Sequence, residues 1–264
     1  MKLYDAINSA NQQGRLGLVV YAIPNFPDPL LYQKIHQHLV NEPCVSVIET
    51  TFPVKSLFSD HANSTIRTSH RVAAAHEKEI DSILNQYHFP KASLSVLYQE
   101  TNDQYGFEFI MKKMKGKIDG VLLEWNETDI ETYVEYSKIS ANYGVEFVHC
   151  IGPNMSHKEL QTVLSYCKPN ALVYLMSAEM TGGALYSSEI LREVINRAKS
   201  IRLDIKVAAG FGIRTSSQIR ALSQISELDA VIIGTAFLEK IAKGEANVKR
   251  YLNQIQEGLS YVTI

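Results

Sequence analysis

Two stretches in the C-terminal third each run from a short apolar segment directly into a glycine turn: Ile205-Lys206-Val207-Ala208-Ala209-Gly210-Phe211-Gly212-Ile213 and Ala230-Val231-Ile232-Ile233-Gly234-Thr235. Helical patterns begin just after both turns, near Thr215 and Ala236. Backbone N–H groups at a glycine turn before a helix point outward, and the helix dipole adds partial positive charge, so such a turn favours an anion. Two turns of this kind together predict a phosphate site.

The rest of the chain supplies the strands that such a site requires. Barrels of alternating strands and helices place a phosphate site after strands seven and eight, so six strands should come first. Short apolar, β-branched runs occupy residues 16–21, 44–49, 92–98, 120–124, 146–150, 171–177, 205–209 and 230–234. Apolar residues at helical spacing occupy 30–39, 66–84, 107–114, 130–141, 160–166, 190–198, 219–222 and 237–241.

This alternation predicts the architecture. Strands that are apolar along their length and separated by helices imply parallel pairing with both faces covered. We therefore predict a (β/α)8 TIM barrel, and the absence of a linker-like stretch predicts a single domain over residues 1–264. A last helix over residues 246–259 is expected to pack on the barrel exterior through one apolar face. Its members are Val248, Tyr251, Leu252 and Ile255.

Composition excludes several classes of partner. A formal net charge of −2 with mixed surface charges offers no footprint for nucleic acid or an anionic membrane. Polar residues such as Asp5 and Asn8 stand where a signal peptide needs an apolar stretch, and no run reaches membrane-spanning length, which predicts a cytoplasmic protein. Cys44, Cys150 and Cys167 are unclustered and odd in number, as expected of reduced core thiols. We predict neither a metal site nor a cofactor.

Glu49 is the first candidate catalytic residue. It ends the second predicted strand after four residues, 45–48, that are mostly apolar. In this fold, chemistry takes place where the strands end at the C-terminal face. A carboxyl group in an apolar barrel mouth has a raised pKa and serves as a general acid or base near neutral pH. The alternative is an acid that caps a loop or pairs with a lysine, and we favour the functional role.

Other polar residues fall at the same end of the predicted barrel. Asp60 lies in the loop after Glu49, where helix capping and catalysis are both consistent with its position. Tyr174 lies within the sixth predicted strand, and its spacing alone indicates a structural residue. Gly182 and Gly183 follow that strand and would add a backbone amide to the phosphate site.

Taken together, these residues resemble the tryptophan synthase alpha subunit family. The resemblance is strongest in the C-terminal third, at 173–177, Thr181-Gly182, 210–213 and 229–236. Weaker similarity runs through most of the chain. It includes Tyr21, Asp28-Pro29, Glu49, Pro53 and Thr65-Ile66.

The resemblance implies a reaction and a set of roles. Members of the family cleave indole-3-glycerol phosphate to indole and glyceraldehyde 3-phosphate, a retro-aldol reaction that needs no cofactor. Glu49 then corresponds to the acid/base, Asp60 to the aspartate that contacts the indole N–H, and Tyr174 to a tyrosine near the reacting centre. The residues expected to hold the phosphate are Gly182, Phe211, Gly212, Gly234 and Thr235.

The loop that carries Asp60 departs from the family pattern. An ungapped alignment from Glu49 places Asp60 on the catalytic aspartate and also aligns Pro53. Alternatively, Phe58-Ser59-Asp60 corresponds to an earlier Phe-Ser-Asp of the family, which would leave the catalytic aspartate missing. We favour the ungapped register.

Two further loops differ from the family. The loop after the sixth strand, 177–185, is short and lacks the usual arginine. It therefore loses part of the surface through which the family signals to its pyridoxal-phosphate-dependent beta subunit, the partner that the resemblance implies. After the fourth strand, Glu124-Trp125-Asn126-Glu127 replaces Ala-Asp-(Val/Leu)-Pro, which puts a bulky ring and an added carboxylate near the indole pocket.

Two other functions are consistent with the phosphate turns. One is a barrel enzyme that acts on a different phosphorylated small molecule. The other is a non-catalytic homologue that binds a phosphorylated ligand. A Schiff-base aldolase is disfavoured because no predicted strand carries a lysine at its C-terminal end, and Lys206 lies early in the seventh strand.

Overall fold

The computed structural model describes residues 2–76, 79–85, 90–124 and 130–261. Within them, eight parallel strands form a closed barrel in chain order, with the last strand paired to the first. The predicted (β/α)8 barrel is confirmed. The strands are β1 (Gly17–Tyr21), β2 (Val45–Thr51), β3 (Ala92–Tyr98), β4 (Gly120–Glu124), β5 (Glu146–Ile151), β6 (Leu172–Met176), β7 (Lys206–Gly210) and β8 (Ala230–Ile233).

The described residues also form helices that surround the barrel. They are α1 (Leu3–Gln12), α2 (Pro29–Asn41), α3 (Ser64–Ala73), α4 (Ile80–Leu84), α5 (Gln99–Tyr105), α6 (Phe107–Met114), α7 (Ile130–Asn142), α8 (His157–Ser165), α9 (Ser188–Ile201), α10 (Ser216–Leu222), α11 (Thr235–Ile241) and α12 (Glu245–Leu259). None of them has both the length and the apolarity that a membrane crossing requires.

The prediction of one helix over 66–84 is wrong. The chain forms α3 and α4 there, and α3 ends at Ala73. Ile66 and Ala73 pack in the main core, whereas Ile80 and Ile83 pack in a second cluster with residues of α6. The same apolar spacing thus serves two separate packing sites, so periodicity could not locate the break.

Two helices were not predicted from the sequence. Helix α1 buries Leu3 and Ile7 and closes the N-terminal end of the barrel. A Cβ atom at Gly120 would lie 2.5 Å from Leu3 Cδ1, which shows how closely α1 packs against β4. Helix α5 is short and mostly polar, with Thr101 as its buried residue, and therefore gives little periodic signal.

The predicted C-terminal helix is confirmed as α12. All four residues of its expected apolar face are buried. The helix packs closely on α10, since a Cβ atom at Gly258 would lie 2.5 Å from the Ser216 carbonyl oxygen.

Asp229 holds the N-terminal ends of β7 and β8 together. One carboxylate oxygen accepts hydrogen bonds from the Lys199 ammonium at 2.7 Å and the Val207 N–H at 2.8 Å. The other accepts from the Lys206 ammonium at 3.0 Å, and Asn11 of α1 donates to the Asp229 carbonyl oxygen. Lys206 is thus an ion-pair partner of Asp229 at the N-terminal end of the barrel, away from the C-terminal ends of the strands.

Replacing Asp229 with alanine should reduce the free energy of unfolding by about 3 kcal/mol, because two largely buried lysines lose their counter-ion. Urea denaturation measures the loss. The control is Asp81→Ala, which breaks the exposed ion pair with Lys113 and should cost less than about 1 kcal/mol. Equal losses for the two variants would show that Asp229 does not fasten the barrel.

Candidate active site

A cavity of about 330 Å³ opens where the barrel strands end. Glu49 and Tyr174 line it, and so do all five residues predicted to hold a phosphate. Much of the remaining wall is apolar. The apolar lining includes Ile66, Val96, Leu122, Leu123, Val148, Met155, Val163 and Ile232. The ends of the predicted strands and the family resemblance therefore pointed to residues that share one cavity.

Glu49 is buried in the wall of the cavity. Its side chain belongs to β2, whose residues are all buried, and the residue is 3% exposed. Its Oε1 atom has no hydrogen-bond partner among the described residues. Burial raises the pKa of the carboxyl group from 4.5 to about 8. Glu49 therefore holds its proton at neutral pH and titrates within the range that acid–base catalysis uses.

Tyr174 lies beside Gly210 at the end of β7. A Cβ atom at Gly210 would overlap both the hydroxyl and the Cζ atom of Tyr174, so this glycine is needed to admit the ring. The ring of Phe211 packs edge-on to Tyr174 at 5.8 Å between centroids. Burial, followed by the charge of Glu49, raises the pKa of the Tyr174 phenol well above its ordinary value. The hydroxyl thus remains a proton donor.

A buried histidine orients a second tyrosine of the cavity. The Val54 N–H donates to His70 Nδ1 at 3.2 Å. Burial lowers the pKa of His70 to about 3, so its ring is neutral and its proton is on Nε2. That proton is donated to the Tyr21 hydroxyl at 2.9 Å. The contact fixes both Tyr21 and the start of the loop after β2.

The predicted phosphate turns converge at one edge of the cavity. Gly182, Phe211 and Gly212 have φ angles between 71° and 76°, and such a conformation is strained for Phe211. The remaining turn, Gly234, precedes the first residue of α11, Thr235. A Cβ atom at Gly182 would lie 3.4 Å from Thr235 Cγ2, so the turns after β6 and β8 are in contact. Their geometry suits an anion, and phosphate binding at these residues stays a prediction.

Arg214 adds a cationic group to the lining of the cavity. Its Nη2 atom donates to both carboxylate oxygens of Glu239 at 2.8 Å. The side chain is about one-third exposed, and the ion pair holds it in place. The sequence analysis did not identify this residue, because it lies one position beyond the glycine motif.

Thr181 joins the short loop after β6 to the loop after β2. Its N–H and its hydroxyl both donate to the His61 carbonyl oxygen at 2.9 Å. In return, the Asn63 N–H donates to Thr181 Oγ1, and the Asn63 side-chain amide donates to the Thr181 carbonyl oxygen. Asn63 also caps α3 by accepting from the Ile66 N–H. The short loop is thus held against its neighbour by a reciprocal set of hydrogen bonds.

Asp60 does not line the cavity in this structure. The chain turns between Ser59 and Ala62, whose N–H donates to the Ser59 carbonyl oxygen, and this turn leaves Asp60 exposed. The next residue, His61, lines the cavity, and its Nδ1 lies 3.1 Å from Glu124 Oε1. The hydrogen bond with Glu124 raises the pKa of His61. The favoured sequence register therefore does not bring Asp60 to the site.

Sequence reasoning missed His61. Glu124 is expected near the pocket because it ends the fourth predicted strand and departs from the family pattern, but the sequence favours a loop residue over a catalyst there. No motif marks His61, because its orientation depends on one turn. Trp125, expected near the pocket, lies outside the described residues.

Comparison with known proteins identifies the chain. The sequence model of the tryptophan synthase alpha chain family matches residues 7–262. The chain belongs to this family. A tryptophan synthase alpha chain from Maridesulfovibrio salexigens is 28% identical over 262 residues, which cover 94% of this chain and 96% of the relative. One from Polynucleobacter asymbioticus is 24% identical over 258 residues, which cover 93% and 94%.

Solved structures agree on the fold. A structure of Mycobacterium tuberculosis tryptophan synthase has a TM-score of 0.82 at 18% identity and covers 99% of this chain and 98% of the matched chain. The tryptophan synthase alpha chain of Legionella pneumophila subsp. pneumophila has a TM-score of 0.76 at 18% identity, with 98% and 96% covered. The family and the barrel predicted from the sequence are both confirmed.

The buried carboxyl group of this alpha-chain family member should make its stability depend on pH. The pKa of Glu49 is raised by folding, so the unfolded chain releases this proton at lower pH than the folded chain. Between about pH 5 and pH 8, the free energy of unfolding should therefore fall by roughly 3 kcal/mol more in the wild type than in Glu49→Gln. Urea denaturation at several pH values measures the free energy of unfolding of the wild type and of the variant. Parallel pH profiles would contradict a raised pKa at Glu49.

Removing the Thr181 hydroxyl should loosen the loop after β6. In Thr181→Val, two hydrogen bonds are lost at unchanged volume, and protection of the Thr181 and Asn63 amides from hydrogen exchange should fall by about tenfold. Thr181→Ser, which retains the hydroxyl, is the control and should keep its protection. Unchanged exchange in the valine variant would show that other contacts hold this loop.

Proposed function

We propose that this chain cleaves indole-3-glycerol phosphate to indole and glyceraldehyde 3-phosphate without a cofactor. One observation carries the proposal: a buried carboxyl group, Glu49, faces a cavity that has glycine turns at one edge and a largely apolar wall elsewhere. The turns suit the phosphate and the walls suit a flat aromatic ring. In this proposal, the carboxyl group acts on the bond between the ring and the glycerol chain.

A single residue can supply both proton transfers. Glu49 begins protonated and donates to C3 of the indole ring, which turns the ring into a leaving group. The resulting carboxylate accepts the proton of the adjacent glycerol hydroxyl as the carbon–carbon bond breaks. The bond electrons return to the ring, a carbonyl group forms on the glycerol fragment, and Glu49 is again protonated.

We infer that the other lining residues bind and position the substrate. We infer that Gly182, Gly212 and the Gly234-Thr235 turn bind the phosphate through backbone N–H groups. Phe211 packs against the substrate between this site and the ring of Tyr174, whose hydroxyl donates near the reacting carbon. Binding energy from the remote phosphate then positions the scissile bond.

The alternative barrel chemistries have less support. A Schiff-base mechanism needs a lysine in the cavity, and the described lining contains none. Asp60, the aspartate expected at the indole N–H, is exposed, so that role stays a prediction that needs a different loop conformation.

A beta-type subunit remains the partner that the family resemblance implies. In this chain, Thr181 already holds the loop after β6 against the loop after β2. We therefore infer that the chain turns over its substrate alone, and that a partner is not needed to order this loop. The cytoplasmic location also stays a prediction.

The test is to incubate the purified protein with indole-3-glycerol phosphate, without a beta subunit, and to follow indole by chromatography. Glu49→Gln should lower kcat by at least about a hundredfold, because general acid–base catalysis is lost. Binding of a non-cleavable phosphate analogue should persist. For the wild type, kcat/KM should fall tenfold per pH unit above about pH 8, where Glu49 loses its proton.

The controls separate loss of chemistry from loss of binding. Glu100→Gln alters an acid that lies outside the cavity lining and accepts from the Phe58 N–H, so indole release should continue. No indole from the wild type, together with retained binding of the analogue, would reject the lyase and favour a phosphate-ligand-binding homologue.

A further inference from the structure

Glu124 is a second, largely buried carboxyl group in the cavity. It ends β4 and pairs in register with Tyr98 of β3. Its side chain is 12% exposed, and one oxygen, Oε1, is held by His61 Nδ1 at 3.1 Å. The other oxygen, Oε2, is buried and has no hydrogen-bond partner among the described residues. A buried acceptor of this kind is costly unless a donor reaches it.

The position of Glu124 differs from that of Glu49 in one decisive way. Both carboxyl groups line the same cavity, and the charges of both act on the Tyr98 and Tyr174 phenols. Glu124, however, is paired with a histidine, whereas burial raises the pKa of Glu49. The contact with His61 therefore fixes the position of the Glu124 side chain, whereas the Glu49 carboxyl group has the raised pKa that suits acid–base catalysis.

The side chains around Glu124 indicate which kind of ligand could donate a hydrogen bond to it. Leu122 and Leu123 precede it on β4, and Val148 lies on β5 opposite Leu122. The phenols of Tyr98 and Tyr174 also lie within range of the Glu124 charge, but much of the surrounding wall is aliphatic. A carboxylate in such a wall suits a flat apolar ligand with a single N–H at its edge. A ring without an N–H would leave Oε2 buried and unpaired. A site of this kind discriminates strongly against ligands that lack the donor.

We propose that Glu124 Oε2 accepts a hydrogen bond from the ring N–H of the bound substrate, and that His61 acts as a positioning residue for this carboxylate. The inference rests on the proposed function and assigns the ring contact to Glu124 rather than Asp60. When C3 of the ring is protonated, positive charge develops at the ring nitrogen, and the carboxylate stabilises it.

Binding of two non-cleavable analogues tests the contact. Indolylpropyl phosphate carries the ring N–H, and benzothienylpropyl phosphate has a sulfur atom in its place. Isothermal titration calorimetry gives the ratio of their Kd values. The wild type should bind the indole compound at least about tenfold more tightly, as expected for a hydrogen bond to a charged acceptor.

The variants isolate the carboxylate. Glu124→Leu should bring the ratio to about one, and Glu124→Gln, which keeps the shape and an acceptor oxygen without the charge, should leave roughly threefold. His61→Phe keeps a ring but releases the carboxylate, so the ratio should fall in part. Glu100→Leu is the matched control outside the cavity lining and should keep the full ratio. Urea midpoints verify that each variant is folded.

The outcomes separate this inference from the proposed function. If the wild type releases indole while Glu124→Leu and Glu124→Gln both keep the tenfold ratio, the inference is wrong and the lyase stands. If Asp60→Asn abolishes the ratio and Glu124→Leu does not, Asp60 makes the contact instead. If the tenfold ratio depends on Glu124 but no indole forms, the ring contact is supported and the lyase reaction is rejected.

Discussion

Closure of the parallel barrel is the constraint on which the rest of the molecule depends. Because β8 pairs with β1 and all strands run the same way, every strand ends at the same mouth. Residues as far apart in sequence as Glu49 and Thr235 therefore line one cavity. The opposite end carries the fastening contacts of Asp229, so the two ends of the barrel perform separate tasks.

Within that mouth, environment gives two similar carboxyl groups different properties. Glu49 lies in a largely apolar wall and has no ion-pair partner among the residues that the structure describes, and burial raises the pKa of its carboxyl group to about 8. Glu124 bonds to His61, which reaches the cavity because the chain turns at Ser59. Pairs of acids whose surroundings differ in this way are a common basis for assigning separate roles.

Much of this arrangement follows from the sequence alone. The apolar runs define the strands, and the residues that end them include Glu49 and the glycine turns. Local patterns could not show that α3 ends at Ala73, because both halves of the predicted helix have apolar faces of the same period. They also could not separate Asp60 from His61, since adjacent loop residues differ in orientation only through the turn that contains them. Thr181 owes its position to hydrogen bonds between two distant loops, and Arg214 is held by Glu239 of α11.

The close approach of Tyr174 to Gly210 provides a second reason for a glycine at this position. The sequence presents the first glycine of the Gly-Phe-Gly-Ile turn as part of an anion site, yet its missing side chain leaves room for a phenol from the neighbouring strand. Across related chains, the volumes of the residues at these two positions should therefore vary together. An alanine at the glycine position would be accommodated only where the strand-six residue is small. A related chain could then change the residues at positions 174 and 210 together and keep the rest of its phosphate turn. The part of the cavity near Tyr174 could thus diverge while the phosphate-binding part stays the same.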